Sequence, residues 1–185
     1  ANEAASRISI NQDTQSYEAS ILTENLIDLA QGKLRPIITR AGRRRRESNT
    51  ALDIESRALA ALLETLSSGI EHLAADFLGV SPPDSKVRRF DTPREAFVYV
   101  LELSGEFQEA TYDENSSLHT YAGPHHLASL LIAAVDGLAP APLIKLPPPD
   151  GADPEFWRRW LSLRASHFPF VWPNHRQAIA ENFYQ

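Results

Sequence analysis

The chain has 185 residues, a length that fits one compact domain with a buried core. Apolar residues make up 43% and charged residues 23%, as in ordinary soluble globular proteins, and no apolar run is long enough to span a bilayer. Cysteine is absent, which excludes disulfides and thiolate metal sites. Because the first residues lack the pattern of a signal peptide, we expect a cytoplasmic protein without a membrane partner.

The formal net charge of −6 is unevenly distributed along the chain. Residues 33–46, called here the basic segment, contain seven of the eighteen cations and no acid. The remaining residues carry eleven cations against 24 acids. The basic segment is therefore the strongest candidate for a contact surface on an otherwise acidic protein.

Helical periodicity first appears over residues 14–31, and Gly32 is a suitable C-terminal stop. Pro36, Gly42 and the arginine run then interrupt the pattern, so we interpret residues 33–49 as a basic connector.

The clearest helical pattern runs from Ala51 to Leu78, before Gly79 and a pair of prolines. Its apolar residues recur at steps of three, four and seven and form one stripe: Leu52, Leu59, Leu62, Leu63, Leu66, Ile70, Leu73 and Phe77. This segment predicts a long central helix.

Four further helices are predicted to begin with a proline, whose missing amide costs nothing at that position. Thr92 and Glu95 form a capping box for the first of the four, and Gly105 is its expected stop. The four starting residues are Pro93, Pro124, Pro154 and Pro173. Together these patterns predict an all-α fold: an irregular helical bundle of about six helices with a long central helix.

Proline-rich composition divides the chain into three predicted parts. Residues 1–137 would form a helical accessory domain, and residues 138–153 a semi-rigid linker. Residues 154–185 would form an aromatic helical hairpin. Because the chain ends on aromatic residues without a helix stop signal, we expect it to continue beyond Gln185.

No catalytic or metal-binding motif is found in the sequence. The eight glycines are never closer than ten residues, so no phosphate-binding loop is present. His119, His125 and His126 lie close in sequence, but without a suitably placed carboxylate pair we interpret them as surface or helix-cap residues rather than a metal site.

The candidate binding residues are arginines of the basic segment: Arg40, Arg43, Arg44, Arg45 and Arg46. Clustered arginines next to a glycine are typical of contacts with the DNA or RNA backbone, with little sequence preference and steep salt dependence. Two alternatives stay open. The arginines would pair with acids of the same chain, or they would bind an acidic partner subunit.

The C-terminal segment Phe170-Val171-Trp172-Pro173-Asn174-His175-Arg176-Gln177-Ala178-Ile179, followed by Phe183-Tyr184, resembles a segment of bacterial superfamily-two DEAD/DEAH-box helicases. In that family a Trp-Pro-x-x-(Arg/Gln)-x-Ala pattern lies just ahead of the phosphate-binding loop and helps to hold adenine. The resemblance covers residues 168–184. It implies an adenine-side role for Trp172, Arg176 and Gln177.

The resemblance further implies that the chain is the N-terminal helical accessory region of an ATP-dependent helicase in DNA repair or antiphage defence. Residues 154–185 would then lead into a motor domain that is not present here. ATP and Mg²⁺ would belong to the full-length chain, with no cofactor in this segment. The accessory region would contact nucleic-acid backbone or a partner subunit. The alternative function is a protein-interaction module without nucleic-acid binding.

Overall fold

The computed structural model describes residues 17–44, 54–82, 90–109, 121–137 and 141–181. These parts contain seven α-helices: α1 (residues 17–30), α2 (Leu34–Arg44), α3 (Ile54–Leu78), α4 (Pro93–Glu109), α5 (Ala122–Gly137), α6 (Pro154–Ala165) and α7 (Pro173–Ala180). Two short strands, β1 (Ala141–Pro142) and β2 (Phe170–Val171), pair antiparallel, and a 3₁₀ turn covers Leu143–Lys145. The predicted all-α fold is confirmed.

Helix α3 lies at the centre, as the long apolar stripe predicted. Leu66, Ile70 and Ala74 are completely buried on it. Helices α2 and α4 pack on α3, and α5 packs mainly on α4. The other helices contribute these buried residues to the common core: Leu22, Leu34, Ile37, Phe97, Val100, Ala128 and Leu131. Each large aliphatic side chain removed from water in this way contributes about 1.5–3 kcal/mol.

Gly69 allows α4 to approach α3 closely. A β-carbon at this position would overlap the ring of Phe97, which is completely buried. Gly69 therefore has a packing role that helical periodicity alone does not indicate.

The basic segment differs from its prediction, because residues Leu34–Arg44 form helix α2 rather than a connector. Pro36 lies in the first turn, where an amide has no helical partner and the ring meets no preceding turn. Leu34, Ile37 and Ala41 then follow helical spacing and are buried. The bundle thus has one helix more than the six expected.

Two predicted helix boundaries are also wrong. Helix α4 continues through Gly105 to Glu109, since glycine costs a helix only about 1 kcal/mol relative to alanine. Helix α5 begins at Ala122, which leaves Pro124 inside the first turn. By contrast, the expected stops at Gly32 and Gly79 are confirmed by their positive φ angles of 69° and 64°.

The C-terminal elements pack beside the end of α3. The rings of Phe77 and Phe170 meet edge to face with centroids 4.8 Å apart. The segment predicted as a linker contacts α6. Its Leu146 carbonyl accepts a hydrogen bond of 3.1 Å from the indole nitrogen of Trp157 on α6. The turn Leu143–Lys145 thus contacts both α3 and α6. The division of the chain into three parts stays a prediction.

Candidate functional site

Helix α2 carries the described part of the predicted binding residues. Its backbone includes Arg40, Arg43 and Arg44, while Arg45 and Arg46 lie outside the described residues, as does the side chain of Arg44. Leu34, Ile37 and Ala41 face the core. The arginine side chains therefore lie on the other faces of the helix.

Arg40 points back onto α1 and is not a free surface cation. Its guanidinium lies 2.8 Å from the Glu24 carboxylate and 2.6 Å from that of Asp28, and it also donates to the side-chain oxygen of Asn25. The Arg40 side chain is only 18% exposed and Asp28 only 15%. Pairing with acids of the same chain, one of the alternatives left open by the sequence, is therefore what Arg40 does.

Arg43 lies on the outward face of α2. At 100° per residue, Arg35, Thr39 and Arg43 follow one another along the side opposite the buried stripe, and all three are exposed. The two arginines are eight residues apart, which corresponds to about 12 Å along the helix. Helix α2 contains no acid, so this outward face is purely basic.

The adenine-side residues implied by the resemblance lie at β2 and the start of α7. Trp172 is 46% exposed, and Arg176 and Gln177 are exposed on α7. The amide nitrogen of Gln177 donates to the Glu181 carboxylate at 2.8 Å. An exposed aromatic ring can stack on a purine and a free amide can hydrogen-bond its edge, but the Gln177 amide is occupied by Glu181.

Binding the rest of ATP requires groups for its phosphates and for Mg²⁺. Among the described residues, no group of three or more His, Asp or Glu side chains is placed to hold a metal ion. The glycines are also too widely spaced to form a phosphate loop. Within the described ranges, His125 is half-buried against Ser104 at 3.1 Å and His126 is exposed; His119 lies outside them.

The structure does not bring the two predicted sites together. Phe170 of β2 adjoins Gly32, just before α2 begins: a β-carbon at Gly32 would lie 3.5 Å from its ring. Arg43 lies near the opposite end of α2, about 14 Å farther along the helix. Helices α2 and α7, which carry Arg43 and Gln177, do not pack closely against each other.

A third surface, on α6, was not predicted from the sequence, which indicated only an aromatic helical hairpin in this part of the chain. Phe156 and Leu163 are each 65% exposed, and Trp160 is 37% exposed. The signal was present, because these three residues follow the spacing i, i+4, i+7. A second apolar stripe, Trp157, Leu161 and Ala165, has similar spacing, and periodicity alone cannot say which stripe is buried.

Helices in the described ranges are all too short or too polar to cross a membrane. Comparison with known proteins gives no relative: no family model, no curated protein and no solved structure matches the chain.

Proposed function

We propose that the chain is a helical accessory region of an ATP-dependent nucleic-acid helicase, and that it binds DNA or RNA backbone through α2. The observation that supports this is the acid-free outward face of α2, where Arg35 and Arg43 are exposed and Arg44 to Arg46 follow. Arginine suits this role because its planar guanidinium forms paired hydrogen bonds with phosphate oxygens.

Arg40 contributes to this function indirectly. By binding Glu24 and Asp28 it fixes α2 on α1, and its single positive charge offsets one of the two carboxylates. The proposed contact residues are therefore Arg43 to Arg46, with Arg35 about 12 Å from Arg43 along the same face of α2.

The proposed helicase function comes from the resemblance at residues 168–184. The same resemblance implies a role in DNA repair or antiphage defence. Trp172, Arg176 and Gln177 would lie on the adenine side of the nucleotide. ATP and Mg²⁺ would be held mainly by a motor domain outside this sequence.

Binding of short labelled duplexes and single strands tests the proposal, with fluorescence anisotropy at two salt concentrations. Replacing Arg43, Arg44, Arg45 and Arg46 by glutamine should weaken binding to every sequence alike. A matched control replaces four other exposed arginines by glutamine: Arg57, Arg158, Arg159 and Arg164. Equal weakening by both sets would indicate a diffuse charge effect and would contradict a site on α2.

The alternative function gives a different result in the same experiment. A protein-interaction module would show no affinity for nucleic acid at low salt, and substitution of Arg43 to Arg46 would release a protein partner instead.

A further inference from the structure

Helix α6 has two apolar faces, of which only one is used by the fold. Leu161 and Ala165 are each 1% exposed and hold the helix against the rest of the protein. Phe156, Trp160 and Leu163, called here the outer stripe, point elsewhere. At 100° per residue they fall within a sector of about 60°, and they span about 10 Å along the helix.

The outer stripe is unusual because its members are contiguous. Single exposed apolar residues are normal on protein surfaces, whereas aligned apolar side chains rimmed by polar residues mark interaction sites. A spacing of i, i+4, i+7 is also the anchor pattern with which one helix packs against another.

Two arginines border the outer stripe, one on each side. Arg159 lies about 60° from Phe156 in one direction and Arg164 about 80° in the other. Both are exposed, and neither forms an ion pair with another described residue. Helix α6 holds three arginines and one acid, Glu155, with Asp153 as its N-cap, in a chain whose net charge is −6. The local charge therefore complements an acidic partner.

The surroundings of Trp160 favour a protein partner over a nucleic acid. Trp157, one turn earlier, stacks on the Trp160 ring with centroids 5.0 Å apart and planes inclined by 16°. Arg164, one turn later, places its guanidinium carbon 5.5 Å from the ring centroid. A nucleobase would have to displace one of these neighbours to stack, while an aliphatic side chain can pack on the exposed edge. Leu163 offers no stacking surface at all.

We propose that the outer stripe docks an acidic amphipathic helix of a partner protein. Apolar residues of that helix would cover Phe156, Trp160 and Leu163, and its flanking Asp or Glu side chains would meet Arg159 and Arg164. This surface is separate from the basic face of α2, so the proposal stands whether or not α2 binds nucleic acid.

A display library of helical peptides, randomised at apolar and charged positions and selected on the whole chain, tests the proposal. We expect selected peptides to be enriched in apolar residues at helical spacing, with Asp or Glu beside them. In anisotropy measurements with a selected peptide, Phe156→Ala with Leu163→Ala should weaken binding at least about tenfold, as expected for interface anchors. Arg159→Glu with Arg164→Glu should do the same.

Matched controls distinguish the outer stripe from the general effect of removing an exposed apolar side chain or reversing an exposed charge. Leu130→Ala removes another exposed apolar side chain, at 56% exposure on α5, and Arg57→Glu reverses an exposed charge on α3. Neither should change peptide affinity. Because Phe156 and Leu163 are largely exposed, their substitution should leave the melting temperature nearly unchanged.

Several results would overturn the proposal. One is a selection that yields basic or neutral peptides, or none above background. Another is binding of an oligonucleotide, or of vesicles containing an anionic lipid, that is lost with Phe156→Ala and Leu163→Ala while the peptides are unaffected. A third is concentration-dependent dimerisation abolished by the same substitutions, which would make a second copy of this chain the occupant.

Discussion

Replacing Arg40 by glutamine tests whether this arginine anchors α2 or contacts a ligand. The substitution removes the cation that joins α2 to Glu24, Asn25 and Asp28 on α1. Glutamine keeps much of the aliphatic stem and cannot reach all three partners. The expected result is a less stable protein with unchanged affinity for nucleic acid.

The magnitude follows from how deeply each partner is buried. The Glu24 side chain is 55% exposed, so losing its pair costs at most about 1 kcal/mol. The Asp28 side chain is 15% exposed and Asn25 is completely buried, and each group left without a partner costs about 1–3 kcal/mol. A total of roughly 2–7 kcal/mol would lower the melting temperature by on the order of 10 °C in a chain of this size.

Thermal unfolding followed by circular dichroism measures this loss, with Arg43→Gln as the matched control. Arg43 is exposed on the outward face, so its substitution should leave the melting temperature nearly unchanged. The reasoning is refuted if Arg40→Gln has a native melting temperature and yet binds nucleic acid more weakly, because Arg40 would then contact the ligand itself.

Three further substitutions test the packing of the bundle. Leu66→Ala should destabilise by roughly 2–5 kcal/mol in chemical denaturation, because Leu66 is completely buried; an unchanged midpoint would place it outside the core. Gly69→Ala should also destabilise, by roughly 1–3 kcal/mol, because the clash with Phe97 outweighs the better helix propensity of alanine; a more stable variant would contradict the close approach of α4. Asp136→Asn should lower stability at neutral pH but not in acid. The hydrogen bond from Arg94 lowers the pKa of Asp136 below 3.8, so the stabilisation is present above that pH and is lost as pH falls through the folded-state pKa; a difference in melting temperature that persists in acid would argue against it.

Much of the fold follows from the sequence because one stripe dominates each long helix. Leu62, Leu66 and Ile70 recur at helical steps, and the structure buries them on α3. Prolines at the starts of α4, α6 and α7 identify those boundaries correctly, since the ring fits only a few helical positions. These signals are local and do not depend on the rest of the chain.

Features that depend on distant parts of the chain were missed. Pro36 and Gly42 appeared to interrupt a helix, but burial of Leu34 and Ile37 against α3 stabilises α2 despite them. Helix α4 likewise passes through Gly105.

The candidate sites could also be predicted only in part from the sequence. A cluster of cations is visible in the sequence, but only the folded chain distinguishes Arg40, paired with α1, from the exposed Arg43. In the same way, only the packing of α6 shows that Leu161 is buried and Phe156 is exposed.

The salt dependence of nucleic-acid binding tests the central claim most directly. Each phosphate contact contributes about 0.7 to the slope of log K against log salt for single strands and about 0.9 for duplexes. Replacing Arg43 to Arg46 by glutamine should therefore reduce the slope by about 3–4 if all four contact phosphates. Arg40→Gln should leave the slope unchanged. A slope that is the same with and without Arg43 to Arg46, or no binding at low salt, would contradict nucleic-acid recognition through α2.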